Sequence, residues 1–179
     1  SKKLINELIR KKLNFKGPLG GSGYAPHCDG PSAAAYCQSY RFITAMISLT
    51  DHTVDNGCLR VSYGDWNEER LCALVATTTT TSNDDDVLTK SALVAPEEGS
   101  SKSREGRVGA LTPEIVSKLD FQPLPCVSGS VVLFNGWVPH RSSMNMTNTS
   151  RDAAFFIYNA LADHGDQHED YYRAFKAAR

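Results

Sequence analysis

His27 and Asp29, in the stretch GYAPHCDGPSAAAY, are an imidazole and a carboxylate separated by one residue in a glycine- and proline-rich segment. On extended backbone, side chains at i and i+2 leave the same face, so the two groups converge on one point. That is half of a metal site. The third ligand has to come from His52, His140, His164 or His168. His164 and His168 stand four apart among Asp163, Asp166 and Glu169, but Gly165 weakens a helix there and such a tail reads as a solvated face. His52 precedes VDNG in a polar turn and reads as a surface imidazole. His140 is different: it ends the apolar run SVVLFNGWVPH, entered through Gly129, with Pro139 marking a strand's exit. Strand ends are where a rigid scaffold presents functional groups.

Two histidines and one carboxylate on one face of a metal leave the opposite positions open, as in non-haem iron(II) oxygenases. Zinc with the same three ligands is the competing reading. What discriminates is the segment HRSSMNMTNTSRDAAFFIYNA. Folded as a hairpin with its tip near Met146 and Thr147, it sets Ser142 opposite Arg151, and Ser142 shares the face of His140 by period two. Arg151 then lies about 7 Å along the strand and about 5 Å across from the metal ligand. A five-carbon diacid chelating the metal at one end reaches that arginine with the other. A guanidinium fork suits the far carboxylate, and Ser142 adds a hydroxyl donor. A zinc hydrolase has no need of such an arginine.

The elements that must position these groups are mostly strands. β-branched and aromatic residues mark runs at 12–15, 41–50, 58–62, 130–137 and 153–161, punctuated by Gly, Pro and Asn. VDNG at 54–57 has the chemistry of a turn closing a hairpin between two of those runs. Residues 77–109 are polar and low in complexity, and read as a long insertion outside the core. Thr112 caps a short helix with Pro113 at its first position, running to about Leu119. The segment from Asp166 to Lys176 reads as a last helix, and SKKLINELIRKK as an amphipathic one packed on the domain. No internal repeat or second domain is visible, so residues 1–179 read as one domain.

Composition narrows the function classes. With 179 residues, 41% hydrophobic and 22% charged, the chain has the size of one soluble domain with a real core. A formal net charge of −1 and the lack of a broad Lys/Arg cluster interleaved with aromatics argue against nucleic acid as a partner. No apolar run has the length of a membrane span, no signal-peptide core is present, and one short basic helix lacks the second signal for stable anchoring. Five scattered cysteines, without C-x-x-C pairs, read as free thiols. The default compartment is cytoplasmic; the chain begins at Ser1 rather than Met, which keeps an upstream organelle-targeting segment open.

Three separated stretches, KLNFKGPLGGSGYAPHCD, ITAMISLTDHTVDNGCLRVSYGD and GSVVLFNGWVPHRSSMNMTNTSRDAAFFIYNA, resemble in order the phytanoyl-CoA dioxygenase family of Fe(II)/2-oxoglutarate oxygenases. The nearest branch is that of 2-aminoethylphosphonate-type hydroxylases. The resemblance implies a mainly β double-stranded β-helix, a jelly roll with the metal between its sheets. It implies His27, Asp29 and His140 as iron ligands, Arg151 on the distal carboxylate of 2-oxoglutarate, and Ser142 assisting. Met46, on a strand face with Thr44 and Ser48, falls where the family lines the cosubstrate pocket. Asn14 and Lys16 match the family's LNxK element and contact cosubstrate or an anionic substrate. Tyr24, Trp137 and Arg141 are weaker pocket candidates. Where many relatives have Gln this chain has Cys28, pointing off the metal face. Relatives usually carry a longer portion before the metal motif than the 26 residues here, so the chain reads as shortened at its N-terminus.

The activity so implied is oxidative: 2-oxoglutarate and O₂ are consumed, succinate is formed, and a C–H bond of a small, anionic, aminoalkylphosphonate-like metabolite is hydroxylated. An acyl-CoA or other carboxylated metabolite is the alternative substrate. A jelly roll that holds metal without turnover is the alternative of a different class.

Overall fold

The computed structural model describes residues 7–31, 41–78, 109–159 and 173. Within them eight strands form two four-stranded antiparallel sheets. The strands are β1 (Glu7–Lys16), β2 (Tyr24–His27), β3 (Phe42–Ser48), β4 (Leu59–Ser62), β5 (Phe121–Leu124), β6 (Val131–Asn135), β7 (His140–Ser142) and β8 (Arg151–Asn159). One sheet runs β1-β8-β3-β6 and the other β2-β7-β4-β5. Eight strands in two such layers make the jelly roll, the double-stranded β-helix of the sequence expectation.

Period-two alternation decides what each strand shows the interior. On β1, Asn14 and Lys16 are buried while Leu13 and Phe15 stay more than half exposed. On β3, Thr44, Met46 and Ser48 turn inward, each at most 1% exposed. The register carries that face across the sheet, pairing Lys16 with Arg151, Asn14 with Ala153 and Lys12 with Phe155, and then Phe155 with Met46 and Ile157 with Thr44. Met46, Leu59, Val61 and Ala153 form an apolar cluster between the sheets. A second cluster gathers Cys28, Trp66, Leu71, Val75, Leu111, Ile115, Phe121 and Trp137 where two short helices pack.

Those helices are α1 (Glu68–Ala76) and α2 (Pro113–Val116). α1 was not expected, yet its signals are local: Asn67 Oδ1 accepts from Arg70 N at 2.8 Å, Glu68 and Glu69 occupy the first turn, and Leu71 and Val75 lie one turn apart on the buried side. α2 is capped by Thr112 and opened by Pro113 as its sequence demands, but ends at Val116. Bonds from Lys118 N to Ile115 O and from Leu119 N to Val116 O continue it as a tighter turn.

Three expectations about connections are corrected. Residues 7–12 belong to β1, not to an amphipathic helix, because ladder pairing with β8 along the strand outweighs local helical periodicity. VDNG forms a turn, but the strands either side lie in different sheets, so no hairpin closes there. Its groups are satisfied locally: Thr53 N donates to Asn56 Oδ1 at 2.8 Å, and Asn56 Nδ2 donates to Asp51 O at 2.8 Å. The segment after His140 likewise crosses from one sheet to the other, with β7 in one and β8 in the other. Most of the polar insertion, the final segment from residue 160 except Arg173, and with it His164 and His168, lie outside the described residues. No helix among the described residues is long and apolar enough to cross a membrane.

Candidate metal centre and pocket

β2 and β7 pair so that His27 faces His140 directly across the ladder, with ring centroids 4.1 Å apart. Asp29, just beyond β2, brings Oδ1 to 3.9 Å from His27 Nε2 and Oδ2 to 3.9 Å from His140 Nε2. The sequence spacing therefore does converge on one point, and the third member arrives by pairing of strands more than a hundred residues apart. Donor atoms from the three side chains all lie within 4.8 Å of one another.

Each ring is set by a backbone carbonyl two residues earlier. His27 Nδ1 meets Ala25 O at 2.8 Å and His140 Nδ1 meets Val138 O at 2.9 Å. A carbonyl can only accept, so both Nδ1 atoms carry the proton in the neutral rings and both Nε2 lone pairs turn toward Asp29. Such outer partners fix tautomer and ring orientation at metal sites. Thr44 Oγ1 donates to Asp29 Oδ2 at 3.2 Å, tying the carboxylate to the opposite sheet. Two neutral imidazole nitrogens and one carboxylate fit a six-coordinate iron(II) that keeps open positions.

The three residues open onto a pocket between the sheets with about 610 Å³ of space, its open mouth included. Arg151 lines it from β8. The expected hairpin register between Ser142 and Arg151 is wrong, since the two strands belong to opposite sheets, but both residues line this pocket from its two walls. Arg151 is 1% exposed. Its Nη2 donates to Gly57 O at 3.0 Å, and its buried Nε and Nη1 meet no hydrogen-bond partner among the described residues.

Lys16, the register partner of Arg151, joins the two walls. Its Nζ donates to Ser142 Oγ at 2.8 Å, to Gly57 O at 3.2 Å and to Ser143 O. Burial, and after it the Arg151 charge, pulls the lysine down from 10.5 to about 7. Burial lowers Arg151 as well. Gly57 sits at φ +76, and a Cβ there would meet Ser143 O at 2.3 Å and Lys16 Nζ at 2.9 Å, so glycine lets two cations share its carbonyl.

Asn14 lines the pocket, and its Oδ1 accepts from Tyr24 OH at 2.7 Å. Tyr24 and Arg141 are on the wall too. Met46 is not: it is fully buried in the apolar cluster between the sheets. Trp137 packs in the second cluster instead. Cys28 points away from the metal face into that cluster, and burial pushes its thiol well up. Cys28, Cys58, Cys72 and Cys126 are free thiols.

His52 is no surface imidazole. It is 1% exposed, with Nε2 at 3.1 Å from Asp152 O, and burial lowers its pKa. Sequence reasoning also passed over Lys12, Leu59, Phe155 and Ile157 on the pocket wall. Lys12 extends the period-two series of Asn14 and Lys16 and was legible on that ground.

Comparison with known proteins agrees with this architecture. A 2-aminoethylphosphonate dioxygenase from an uncultured bacterium is 33% identical over 166 residues, covering 93% of this chain and 50% of the relative. A methylphosphonate hydroxylase from Gimesia maris is 30% identical over 165 residues, covering 92% of this chain and 49% of the relative. The chain thus spans about half the length of these relatives. Among solved structures, EctD from S. alaskensis with 2-oxoglutarate and 5-hydroxyectoine aligns with a TM-score of 0.58 at 19% identity, over 88% of this chain and 45% of that one. The epimerase SnoN, non-haem and α-ketoglutarate dependent, aligns with a TM-score of 0.52 at 14% identity, over 86% of this chain and 47% of that one. The profile of the phytanoyl-CoA dioxygenase (PhyH) family matches residues 2–153, and the chain belongs to that family.

Proposed function

We propose that this chain is an Fe(II)/2-oxoglutarate-dependent hydroxylase of a small anionic metabolite of the alkylphosphonate kind. The observation that carries it is one pocket holding two histidines and a carboxylate at one point and a buried arginine with unpartnered N–H groups at another. His27, Asp29 and His140 would hold iron(II). Iron bound there supplies the oxidative chemistry, in which 2-oxoglutarate, O₂ and a C–H substrate give succinate, CO₂ and the hydroxylated product.

The protein's own groups do the positioning. Arg151 grips the distal carboxylate of 2-oxoglutarate, its Nε and Nη1 being buried donors that meet no partner among the described residues. Ser142 assists: its hydroxyl accepts from Lys16, which leaves its own proton to donate. Lys16 adds positive charge beside Arg151. Asn14 holds Tyr24 in place on the wall. Met46, packed behind the lining, keeps that region dry and supports Phe155, its register partner. Thr44 holds the Asp29 carboxylate in orientation. The phosphonate-type substrate is supported by the two relatives named for such compounds and by a pocket whose described lining holds Lys12, Arg141 and Arg151 against one carboxylate, Asp29.

Anaerobic titration of the protein with iron(II) and then 2-oxoglutarate tests the reading through the visible metal-to-ligand charge-transfer band. The expected result is a band that Asp29→Ala weakens by loss of iron and Arg151→Ala weakens by loss of 2-oxoglutarate affinity. Folded, iron-loaded protein with no band would overturn the reading and leave a jelly roll that holds metal without turnover.

A further inference from the structure

The connection from β3 to β4 ends in a turn built around one carbonyl. Cys58 N donates to Thr53 O at 2.9 Å and Gly57 N to Val54 O at 3.2 Å. Such a nested pair of bonds closes a helical turn, and it needs the left-handed residue that Gly57 supplies at φ +76. Asn56 locks the turn from inside. It is buried; its Oδ1 accepts from Thr53 N at 2.8 Å, its Nδ2 donates to Asp51 O at 2.8 Å, and its own N–H donates to Thr53 Oγ1 at 3.2 Å. The Gly57 carbonyl takes no part in these bonds and is left to the cations between the sheets.

Two cations share that oxygen. Lys16 Nζ donates to it at 3.2 Å and Arg151 Nη2 at 3.0 Å. Lys16 donates also to Ser142 Oγ and Ser143 O, so the three donors of its ammonium are all engaged. Arg151 keeps Nε and Nη1 without a partner among the described residues. The carbonyl therefore holds one nitrogen of the guanidinium beside a saturated ammonium and leaves the other two to a ligand. The turn is also docked on the crossover that follows β7: Met146 N donates to Asp55 O at 2.9 Å, and a Cβ on Gly57 would lie 2.3 Å from Ser143 O. A shift of the turn moves the anchor of Arg151, while His27 and His140 stay paired in the ladder of β2 and β7.

We infer that Asn56 is a positioning residue for the diacid: through the Gly57 carbonyl it sets how the Arg151 guanidinium meets the far carboxylate. This rests on the proposed oxygenase reading and deepens it, since it assigns part of cosubstrate recognition to a turn outside the pocket lining. A charge-assisted contact between a planar guanidinium and a carboxylate depends on geometry, and a misplacement of about 1 Å costs binding groups a large share of their effect.

The test uses the full chain loaded with iron(II) under anaerobic conditions and reads ligand affinity from the charge-transfer band. Two ligands are compared: 2-oxoglutarate, and 2-oxobutyrate, which offers a metal the same keto acid and has no far carboxylate. Asn56→Ala removes the lock. Thr53→Val removes the hydroxyl acceptor while keeping the volume, and Thr53→Ser keeps the acceptor. The expected result is a loss of 2-oxoglutarate affinity of at least about tenfold in Asn56→Ala and about threefold in Thr53→Val, with Thr53→Ser within about twofold of the unaltered protein. Affinities for 2-oxobutyrate and for iron(II) are expected to stay within about twofold in all three. A turn that only stabilises the fold would weaken both ligands together or neither, and either result would overturn the inference. If Asn56→Ala does not fold, the two Thr53 variants decide by the same criterion. Absence of the band from the unaltered protein with 2-oxoglutarate would fell the oxygenase reading itself, whereas a normal band with 2-oxoglutarate affinity unchanged in every variant would fell this inference alone.

Discussion

Lys16 offers a quantitative test of how the pocket holds a diacid. Its ammonium is surrounded by Arg151 on β8, the Cys58 thiol just before β4, the Tyr24 ring 5.8 Å away on β2, the Ser142 hydroxyl on β7 and the Ser143 carbonyl just after it. Burial and Arg151 bring it to about 7 in the free protein. A dicarboxylate between the two cations reverses the balance, because its charge favours the protonated lysine. Binding of 2-oxoglutarate then takes up a proton whenever the free lysine is neutral. Below about pH 7 the lysine is already charged and affinity is flat; above it, affinity falls by up to tenfold per pH unit. Between about pH 7 and about pH 8.5 the loss amounts to roughly fifteenfold, provided the bound-state pKa lies well above that window. Charge-transfer titrations across that window read the affinity, and calorimetry in buffers of different ionisation enthalpy counts the proton. Lys16→Met is expected to bind 2-oxoglutarate more weakly and without the slope. The same shift makes the stability of the free protein rise from about pH 7 toward the lysine's ordinary 10.5, because the unfolded chain binds the extra proton there. A flat affinity in the unaltered protein, or an equal slope in Lys16→Met, would refute the reasoning.

Thr44→Val removes the donor on Asp29 while keeping the volume; iron(II) affinity is expected to fall about tenfold, with a change in stability of about 1 kcal/mol or less, as a metal titration and a denaturant melt would show. Asn145→Ala strikes the crossover instead. Asn145 is fully buried, its Nδ2 donates to Lys16 O, Gly17 O and Thr149 O, and its Oδ1 accepts from Thr147 N and Oγ1. Leaving those groups unpaired is expected to cost about 2–4 kcal/mol in denaturant unfolding, and a loss below about 1 kcal/mol would show the crossover to be held by other contacts.

The metal triad was legible because its logic is local on both sides. His27 and Asp29 are one residue apart, and His140 closes a strand whose composition announces it. Strand content was legible for the same reason: β3, β6 and β8 are β-branched and aromatic runs bounded by turn residues. What local pattern cannot carry is which strand pairs with which. The segments VDNG and SSMNMTNTS read as hairpin turns, but here the strands on either side of each lie in opposite sheets, and nothing in a turn's own residues records that choice. Arg151 thus lines the pocket of the triad, but from the opposite sheet and not through the hairpin register expected. β1 misled in another way, since the periodicity of the opening sequence suits a helix and only the distant partner β8 makes residues 7–12 a strand. His52 illustrates the same limit: a polar sequence neighbourhood gave no sign of burial against Asp152 from a hundred residues away.

The two ends of the proposed diacid site can be separated by a pair of ligands. Succinate has the carboxylate and methylenes that face Arg151 in 2-oxoglutarate but lacks the keto acid that chelates a metal. In iron-free protein the two ligands offer Arg151 the same group, so they are expected to raise the melting temperature comparably. Each stabilises by the amount mass action allows, about 2.7 kcal/mol at a hundred times the dissociation constant. Adding iron(II) is expected to increase the 2-oxoglutarate effect and leave that of succinate nearly unchanged. Arg151→Met is expected to lose the succinate effect altogether, yet to retain part of the iron-dependent gain with 2-oxoglutarate, because the metal ligands stand on the other sheet from β8 or just beyond β2. Thermal denaturation with each ligand, with and without iron, reads all of these. If succinate stabilises Arg151→Met as well as it stabilises the unaltered protein, the far carboxylate is held elsewhere, and Arg151 is a buried structural cation on the Gly57 carbonyl rather than the grip on 2-oxoglutarate.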